Sequence, residues 1–480
     1  MNDLAGARQA GPRGGVRWRT SAIVLAAFLA VCLVVAGLAW KREHDRASAQ
    51  ERVALAHGLA LHAADLRDAA PGTARILGIA AVKIHSDGQT RAGLIDTLVA
   101  DRGGELTPDA SREVALSGDG RIALTGDGYG DEVSVWDLTT WLDPKLVMKS
   151  DRVAALKVHK EGVNAVALSF DGRTALTGDN AGAAIAWDLT DPAKPIRVAT
   201  LAGEKNSDSV WVRALALSRD GRTAVIGDDA GDVAVWNLKD KSRPARLSVT
   251  RAHASFIRDL GLSADGGIAV TVDHDGAATV WDLADPSRPV KSDDLTPSAK
   301  SAAVMSTDGH VVLAGNTPRA EARSGHQIEV WNLDDRSRPA LTTMFEVPLG
   351  YVEDMALTPD RKTALLAGSS DSALLWDLSD PSRPARLAAL KGYGREIESV
   401  ALGADGGVAL AAGPGGVSLW DLGNLAEVVA DPEGAACHGH TNSQLSKAEW
   451  ARYTGGADWS DYAVEGMDVL VVCFMNPDPT

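Results

Sequence analysis

Between about Thr97 and Leu422 the apolar positions fall in short runs, and the runs come in threes. One unit reads VNAVALSFDGRTALTGDNAGAAIAWDL, Val163 to Leu189, with the runs AVALS, TALTG and AIAWDL. Asp171-Gly172 parts the first two and DNAG the second two. Such residues make hairpin turns, because glycine reaches positive φ without a steric penalty and Asp bonds its own backbone. Each unit is therefore expected to be an antiparallel meander. Its third strand, AIAW here and VSVW in the first unit, is apolar on both faces, whereas a strand with one wet face would alternate. It needs a sheet against each face, which radially arranged blades supply.

Each unit closes on Trp-Asp-Leu or Trp-Asn-Leu, at Trp136, Trp187, Trp236, Trp281, Trp331, Trp376 and Trp420, with spacings of 51, 49, 45, 50, 45 and 44 residues. DPSRP follows Trp281 and Trp376, and near-copies follow Trp187, Trp236 and Trp331. Proline cannot donate to a ladder and fixes φ. The segment is expected to turn the corner between the third strand and an outer fourth; a displayed Arg-Pro ligand motif is the alternative use.

These endings, with the turns SGDG, SFDG, SRDG, SADG and STDG, resemble the WD-repeat β-propeller family. The resemblance implies an all-β fold, a seven-bladed β-propeller of four-stranded antiparallel blades with the seven tryptophans as structural anchors. The Gly-His pair of such repeats is not reproduced: His159 and His253 sit near its place, neither after glycine. In the fourth unit His253, Thr271, Asp275 and Trp281 are expected to form the family's buried polar network, and the other blades to hold mainly by packing. Six inter-unit segments supply six fourth strands, leaving one blade short. TLVA, Thr97 to Ala100, is expected to pair with the last blade and remove its open edge.

Ser21 to Trp40 carries no charge over 20 residues, a length that spans about 30 Å as a helix. The apolar region of a cleaved signal peptide is shorter, about 7–15 residues, so one uncleaved transmembrane helix is expected. Four basic residues lie on each side, Arg8, Arg13, Arg17 and Arg19 against Lys41, Arg42, Arg46 and Arg52, so basic charge does not set the orientation. Cysteine does more. Cys32 lies in the apolar segment, none occurs from Leu33 to Ala436, and Cys437 and Cys473 flank the tail. A disulfide between these two is expected, in an oxidising compartment; two reduced thiols are the alternative. The expected organisation is a cytoplasmic segment 1–20, a transmembrane helix 21–40, an α-helical neck 41–95, a propeller 96–430 outside the cell membrane, and a tail 431–480. In the neck, Leu55, Leu59, Ala63 and Leu66 recur at helical spacing, as do Ile76, Ile79 and Ala80. It is similar to the helical linker before propellers in actinobacterial membrane-anchored sensor proteins. In the tail, Ser446 and Glu449 form a capping-box pattern with Leu445 and Trp450 as a staple, and Val469 to Met475 reads as a strand.

Net charge is −16 and the pI about 5.1, against nucleic-acid binding, which needs clustered Lys and Arg. No phosphate loop, H-E-x-x-H, C-x-x-C or G-x-S-x-G motif occurs. GDGYGD, from Gly126, leads from strand to strand rather than into a helix, and CHGH, Cys437 to His440, has no second cluster to complete a metal site. No catalytic residue, cofactor or metal is expected. The expected function is a non-catalytic protein- or peptide-binding scaffold or sensor module. The alternative is a propeller hydrolase or lyase with a site in the central channel. The innermost strands, EVALS, AVALS, ALALS, LGLS, AVMS, MALT and SVALG, are small and apolar apart from their ends, and predict a packed axis. Aligning the units on Val163, Val212, Ile257, Val352 and Ile397 places Gly162, Trp211, Phe256, Tyr351 and Glu396 at the mouth of one face, next to Arg213, Arg258 and Glu353. The fifth unit adds NTPRAEARSGH, Asn316 to His326, on that face. The binding residues are expected to be Trp211, Phe256, Tyr351, Arg213, Arg258, Arg319 and Arg323.

Overall fold

A computed structural model describes residues 41, 46–67, 69–100, 103–127, 130–141, 151–157, 162–202, 211–295, 300–316, 326–392, 396–423, 425–437, 444–457 and 469–471. Seven four-stranded antiparallel sheets are the blades of a propeller. Blade 1 spans residues 113–157, blade 2 163–202, blade 3 212–251, blade 4 257–294, blade 5 300–347 and blade 6 352–391. Blade 7 takes three strands from residues 399–421 and its fourth from Gly103–Thr107. First strands of neighbouring blades pack around the axis. The third strands are buried in the interfaces, as at Ala184, Ile185, Ala186 and Trp187.

The ring is closed from the N-terminal side, but not by the segment expected. Thr97 to Ala100 ends a helix, and the closing strand is Gly103–Thr107, which pairs antiparallel with Gly416–Asp421. Leu94 and Ile95 are buried, and so is Val99 one helical turn on from Ile95, so this apolar run has a helical face to cover. Gly103 passes over Trp420 so closely that a Cβ there would stand 2.5 Å from the indole nitrogen. Only glycine permits that crossing.

Each anchor tryptophan is the penultimate residue of a third strand, half-buried at Trp236 and buried elsewhere. The polar network of blade 4 uses Asp273 where Asp275 was expected. His253 Nε2 lies 2.7 Å from Thr271 Oγ1, Trp281 Nε1 donates to the same oxygen at 2.9 Å, and His253 Nδ1 faces Asp273 at 3.4 Å. The second strand ends at Asp273, whereas Asp275 sits in the exposed turn. Blades 1 and 2 add a buried hydrogen bond of their own to packing. Trp136 donates to Thr125 and Trp187 to Thr177, both at 3.0 Å. In blades 3 and 6 the residues at that position are Ile226 and Leu366, and the Trp236 and Trp376 N–H groups have no partner among the described residues.

The repeated sequences turn corners. In SFDG, Ser169 Oγ donates to Asp171 at 2.7 Å and accepts from Thr174 N, while Gly172 takes φ +70°. The same position in blade 6 is Arg361, at φ 62°. In DPSRP, Asp380 accepts from the backbone and hydroxyl of Ser382 at 3.0 and 2.6 Å. Asp240, Asp285 and Asp335 do the same in their blades. Around the face carrying the Ser-x-Asp-Gly turns, backbone hydrogen bonds run from Ala404 to Gly118, Phe170, Arg219, Ala264 and Thr307 in turn. The matching residue of blade 6 is Pro359, which has no N–H to donate.

Neck and tail share one core. Helices α1 (residues 46–66), α2 (Pro71–Ile84) and α3 (Gly88–Ala100) bury Leu59, Leu77 and Leu94 with Leu445 and Trp450 of the tail. After blade 7 the chain forms α4 (Leu425–Ala430), α5 (Pro432–Cys437) and, beyond Leu445, α6 (Lys447–Thr454). Ser446 and Glu449 form the expected capping box at the start of α6. α3 also lies on the outer strand of blade 6, where Ile95 and Val99 meet Leu387 and Leu390 and Asp96 accepts from Ala389 N. Arg67 stands 3.7 Å from Asp96 and donates to Ala389 O. An exposed edge strand is thereby covered. Val469–Val471 pairs with Gln444–Ser446; the rest of the expected strand, and Cys473, lie outside the described residues. So do residues 1–40. Among the described residues no helix is long and apolar enough to cross a membrane.

Candidate binding site at the channel mouth

On the face opposite the Ser-x-Asp-Gly turns, two loops of blades 2, 3, 4 and 6 are stitched together. The carbonyls of Gly162, Trp211, Phe256 and Tyr351 accept from Asn180, Asp229, His274 and Ser369 at 3.0 to 3.2 Å. Each of these inner strands then bulges, with register shifts at Val212/Ala214, Ile257/Asp259 and Val352/Asp354. A bulge adds an unpaired residue and re-aims its side chain. Here the added residues are Arg213, Arg258 and Glu353, and all three line the channel.

The expected residues of blades 3, 4 and 6 come together. The Arg213 guanidinium lies over Trp211, 4.4 Å from the ring centre, and over Phe256 at 4.8 Å. Phe256 stacks in turn on His274 at 4.4 Å. Beside this pile, Arg258 donates to Tyr351 Oη at 2.9 Å and to Glu353 at 2.7 Å, and His326 meets the Tyr351 ring edge-on at 5.9 Å. Trp211 is 36% exposed, among the most open large apolar side chains described. Arg319 and Arg323 lie outside the described residues.

The axis is not packed shut. A cavity of about 320 Å³ runs into it, lined by Glu113, Asp259 and Asp354 together with the bulge residues. Asp259 accepts from Leu260 N and, across the blade boundary, from Ala303 N at 2.8 Å. Asp354 accepts from Met355 N and, across the next boundary but one, from Val400 N at 2.8 Å. Burial first, and the Asp259 charge second, push the Asp354 carboxyl up to about 7. Burial also raises Asp259, and raises Glu113 well above its ordinary value with help from the Asp354 and Asp259 charges. All three acids stand four residues before the first residue of the turn motif; the other blades carry Ala165, Ala214, Ala302 and Ser399 there. That alignment was available in the sequence, and the small residues explain why the channel stays open. Among the described residues no group of three His, Cys, Asp or Glu side chains is placed to hold a metal ion.

The family described as "WD domain, G-beta repeat" matches residues 150–188, the outer strand of blade 1 and the first three of blade 2. Match and fold together support a WD-repeat propeller. Its seven blades extend well beyond the matched repeat. A second similarity is to the NAD(+) hydrolase ApTIR of Actinoplanes sp., 42% identical over 96 residues. Those residues are 19% of this chain and 13% of that protein.

Proposed function

We propose that this chain is a membrane-anchored WD-repeat propeller acting as a non-catalytic scaffold or sensor module, which presents the channel mouth of blades 3 to 6 to a protein or peptide partner. The observation that carries the reading is the solvent-facing pile of Trp211, Arg213, Phe256 and His274 across two blades. Aromatic and arginine anchors of this kind dominate binding energy, at about 2 kcal/mol or more each on truncation. A propeller fold suits such a scaffold, and the net charge of −16 speaks against a nucleic-acid partner. The non-catalytic part is supported by the channel carboxylates Asp259 and Asp354, each of which is engaged by two backbone N–H groups.

The test is capture of partners by crosslinking in intact cells. Trp211→Ala with Phe256→Ala abolishes capture and leaves the thermal midpoint within a few degrees. Capture at the wild-type level, or loss that tracks unfolding, would count against this face.

Anchoring rests on the uncharged segment 21–40, with the N-terminus in the cytoplasm and the propeller outside. Its support is that Cys437 is disulfide-bonded; the partner we propose for it, Cys473, lies outside the described residues. Thiol labelling of intact cells, with and without reductant, tests the orientation. Labelling of Cys437 and Cys473 that needs membrane permeabilisation and no reductant would reverse it.

One observation favours a second reading, a hydrolase or lyase site in the channel. It is the polar cavity with a carboxyl pushed up to about 7, the kind of group that general acid–base catalysis uses. Asp354→Asn separates the readings: a scaffold keeps partner capture, and an enzyme loses turnover of whatever substrate it takes. The NAD(+) chemistry in the relative's name stays outside both readings, because the match covers 13% of that protein.

A further inference from the structure

We propose that Arg213 is a carboxylate receptor: the channel mouth takes an acidic group of the partner chain, an Asp or Glu side chain or a C-terminal carboxylate, on the open edge of this guanidinium. The proposal rests on the binding face above and specifies what that face reads.

The arginines at the mouth differ in what they hold. Arg258 is committed to Glu353 and Tyr351, and Arg112 to Glu398 at 3.0 Å. Arg213 makes no hydrogen bond or ion pair among the described residues; its contacts are the two ring faces. Its Nε is buried without an acceptor. The nearby Asp229 acts on it through charge, and Asp229 Oδ1 accepts from Trp211 N at 3.0 Å. A guanidinium presents five donors in one plane. Two ring centres lie 4.4 and 4.8 Å from its central carbon here, so less side-chain freedom is left to lose when a ligand docks. Its terminal nitrogens are left for a planar acceptor, and carboxylate matches that fork.

The surroundings select a monoanion. Among the described residues of the mouth one arginine is uncommitted, while Asp229 lies near it and Asp259 and Asp354 line the same channel. A phosphate of charge about −1.5 to −2 would be held by one arginine against those carboxyls. A carboxylate balances Arg213 charge for charge.

The experiment uses the full chain in detergent, immobilised, and three hexapeptide libraries. The first has free C-termini and no acidic side chains. The second is C-terminally amidated with one Asp or Glu in each peptide. The third is amidated, with Asn or Gln in those places. The expected result is retention of the first or second library above the third, and whichever is retained identifies the source of the carboxylate. Arg213→Gln abolishes that preference. Arg213→Lys, which keeps the charge but not the fork, weakens retention about tenfold. Both variants are read at an unchanged thermal midpoint; should Arg213→Gln unfold, the Lys variant and loss of the preference in high salt carry the test. Equal retention of all three libraries, or a preference that survives Arg213→Gln, overturns the proposal and leaves the binding face standing. No retention of any library overturns both.

Discussion

Lys300 Nζ stands 2.7 Å from Glu329 Oε2 inside blade 5, with side-chain exposures of 0% and 2%. Trp331 Nε1 donates to the same oxygen at 2.8 Å. Lys300 begins its inner strand at the register held by Val212, Ile257 and Val352 in other blades. Burial lowers its pKa, and Glu329 opposes that. Breaking such a pair from one side leaves a buried charge, whereas replacing both partners by apolar residues is often neutral. Lys300→Met is therefore expected to cost about 3–5 kcal/mol in denaturant unfolding. Lys300→Val with Glu329→Leu, which copies Val352 and Leu374 of blade 6, should recover most of that loss. A double variant no more stable than Lys300→Met would show that the pair is not the source of the effect.

Ring closure makes a second prediction. A chain beginning at Asp109 lacks Gly103–Thr107 and bares the third strand of blade 7; a chain beginning at Asp87 keeps both that strand and α3. The shorter chain should melt markedly lower. In the full chain Gly103→Val should act in the same direction, because its side chain would enter the Trp420 indole. Equal melting temperatures for the two truncations would refute this closure.

The blades were legible because their signals are local. A turn such as Asp171-Gly172 and an anchor such as Trp187 declare themselves within a few residues. Thr97 to Ala100 was not legible in the same way. Four apolar residues suit a strand or a helix equally, and the choice fell to Ile95 and Val99 docking against Leu387 and Leu390, nearly three hundred residues away. The channel failed for another reason. Glu113, Asp259 and Asp354 are single acids in three separate units, and only stacking the blades makes them neighbours. The bulges add to this. An extra residue at Arg213 or Arg258 sends two successive side chains to the axis, which strict alternation along a strand does not anticipate.

The acids carry a third prediction, on pH. Asp354 has a folded-state pKa of about 7, above its unfolded value. The unfolded chain therefore binds fewer protons between about pH 4 and 7, and stability falls as pH rises through that window. Asn at this position does not titrate. The melting temperature of Asp354→Asn, taken relative to wild type at each pH, should rise from pH 5 to pH 8. His253, whose pKa burial lowers, has the opposite slope below its ordinary range, and the comparison removes it because both chains share it. A difference that stays flat across these pH values would mean that Asp354 is ionised throughout.

The last prediction concerns the joint between neck and tail. Trp450 is 1% exposed, packs with Leu59, Leu77 and Leu94, and donates Nε1 to Ala457 O at 2.9 Å. Ser446 caps its helix, accepting from Glu449 N at 3.3 Å, while Glu449 accepts from Ser446 N at 2.8 Å. Truncating a buried tryptophan to alanine costs about 3–5 kcal/mol, and losing such a cap about 1 kcal/mol. The cores of blades 2 to 6 lie between neighbouring blades and share no residue with the neck–tail core, so the loss should stay local. In Trp450→Ala, hydrogen exchange is expected to accelerate through α2 and α6 and to hold steady in the third strands of blades 2 to 5. Ser446→Ala should show the same pattern more weakly. Because α3 also lies on blade 6, protection of Ala389 N reports whether the disturbance crosses into the propeller. If the whole propeller exchanged faster in step with α6, neck, tail and blades would be one cooperative unit, and the local reading of this joint would fail.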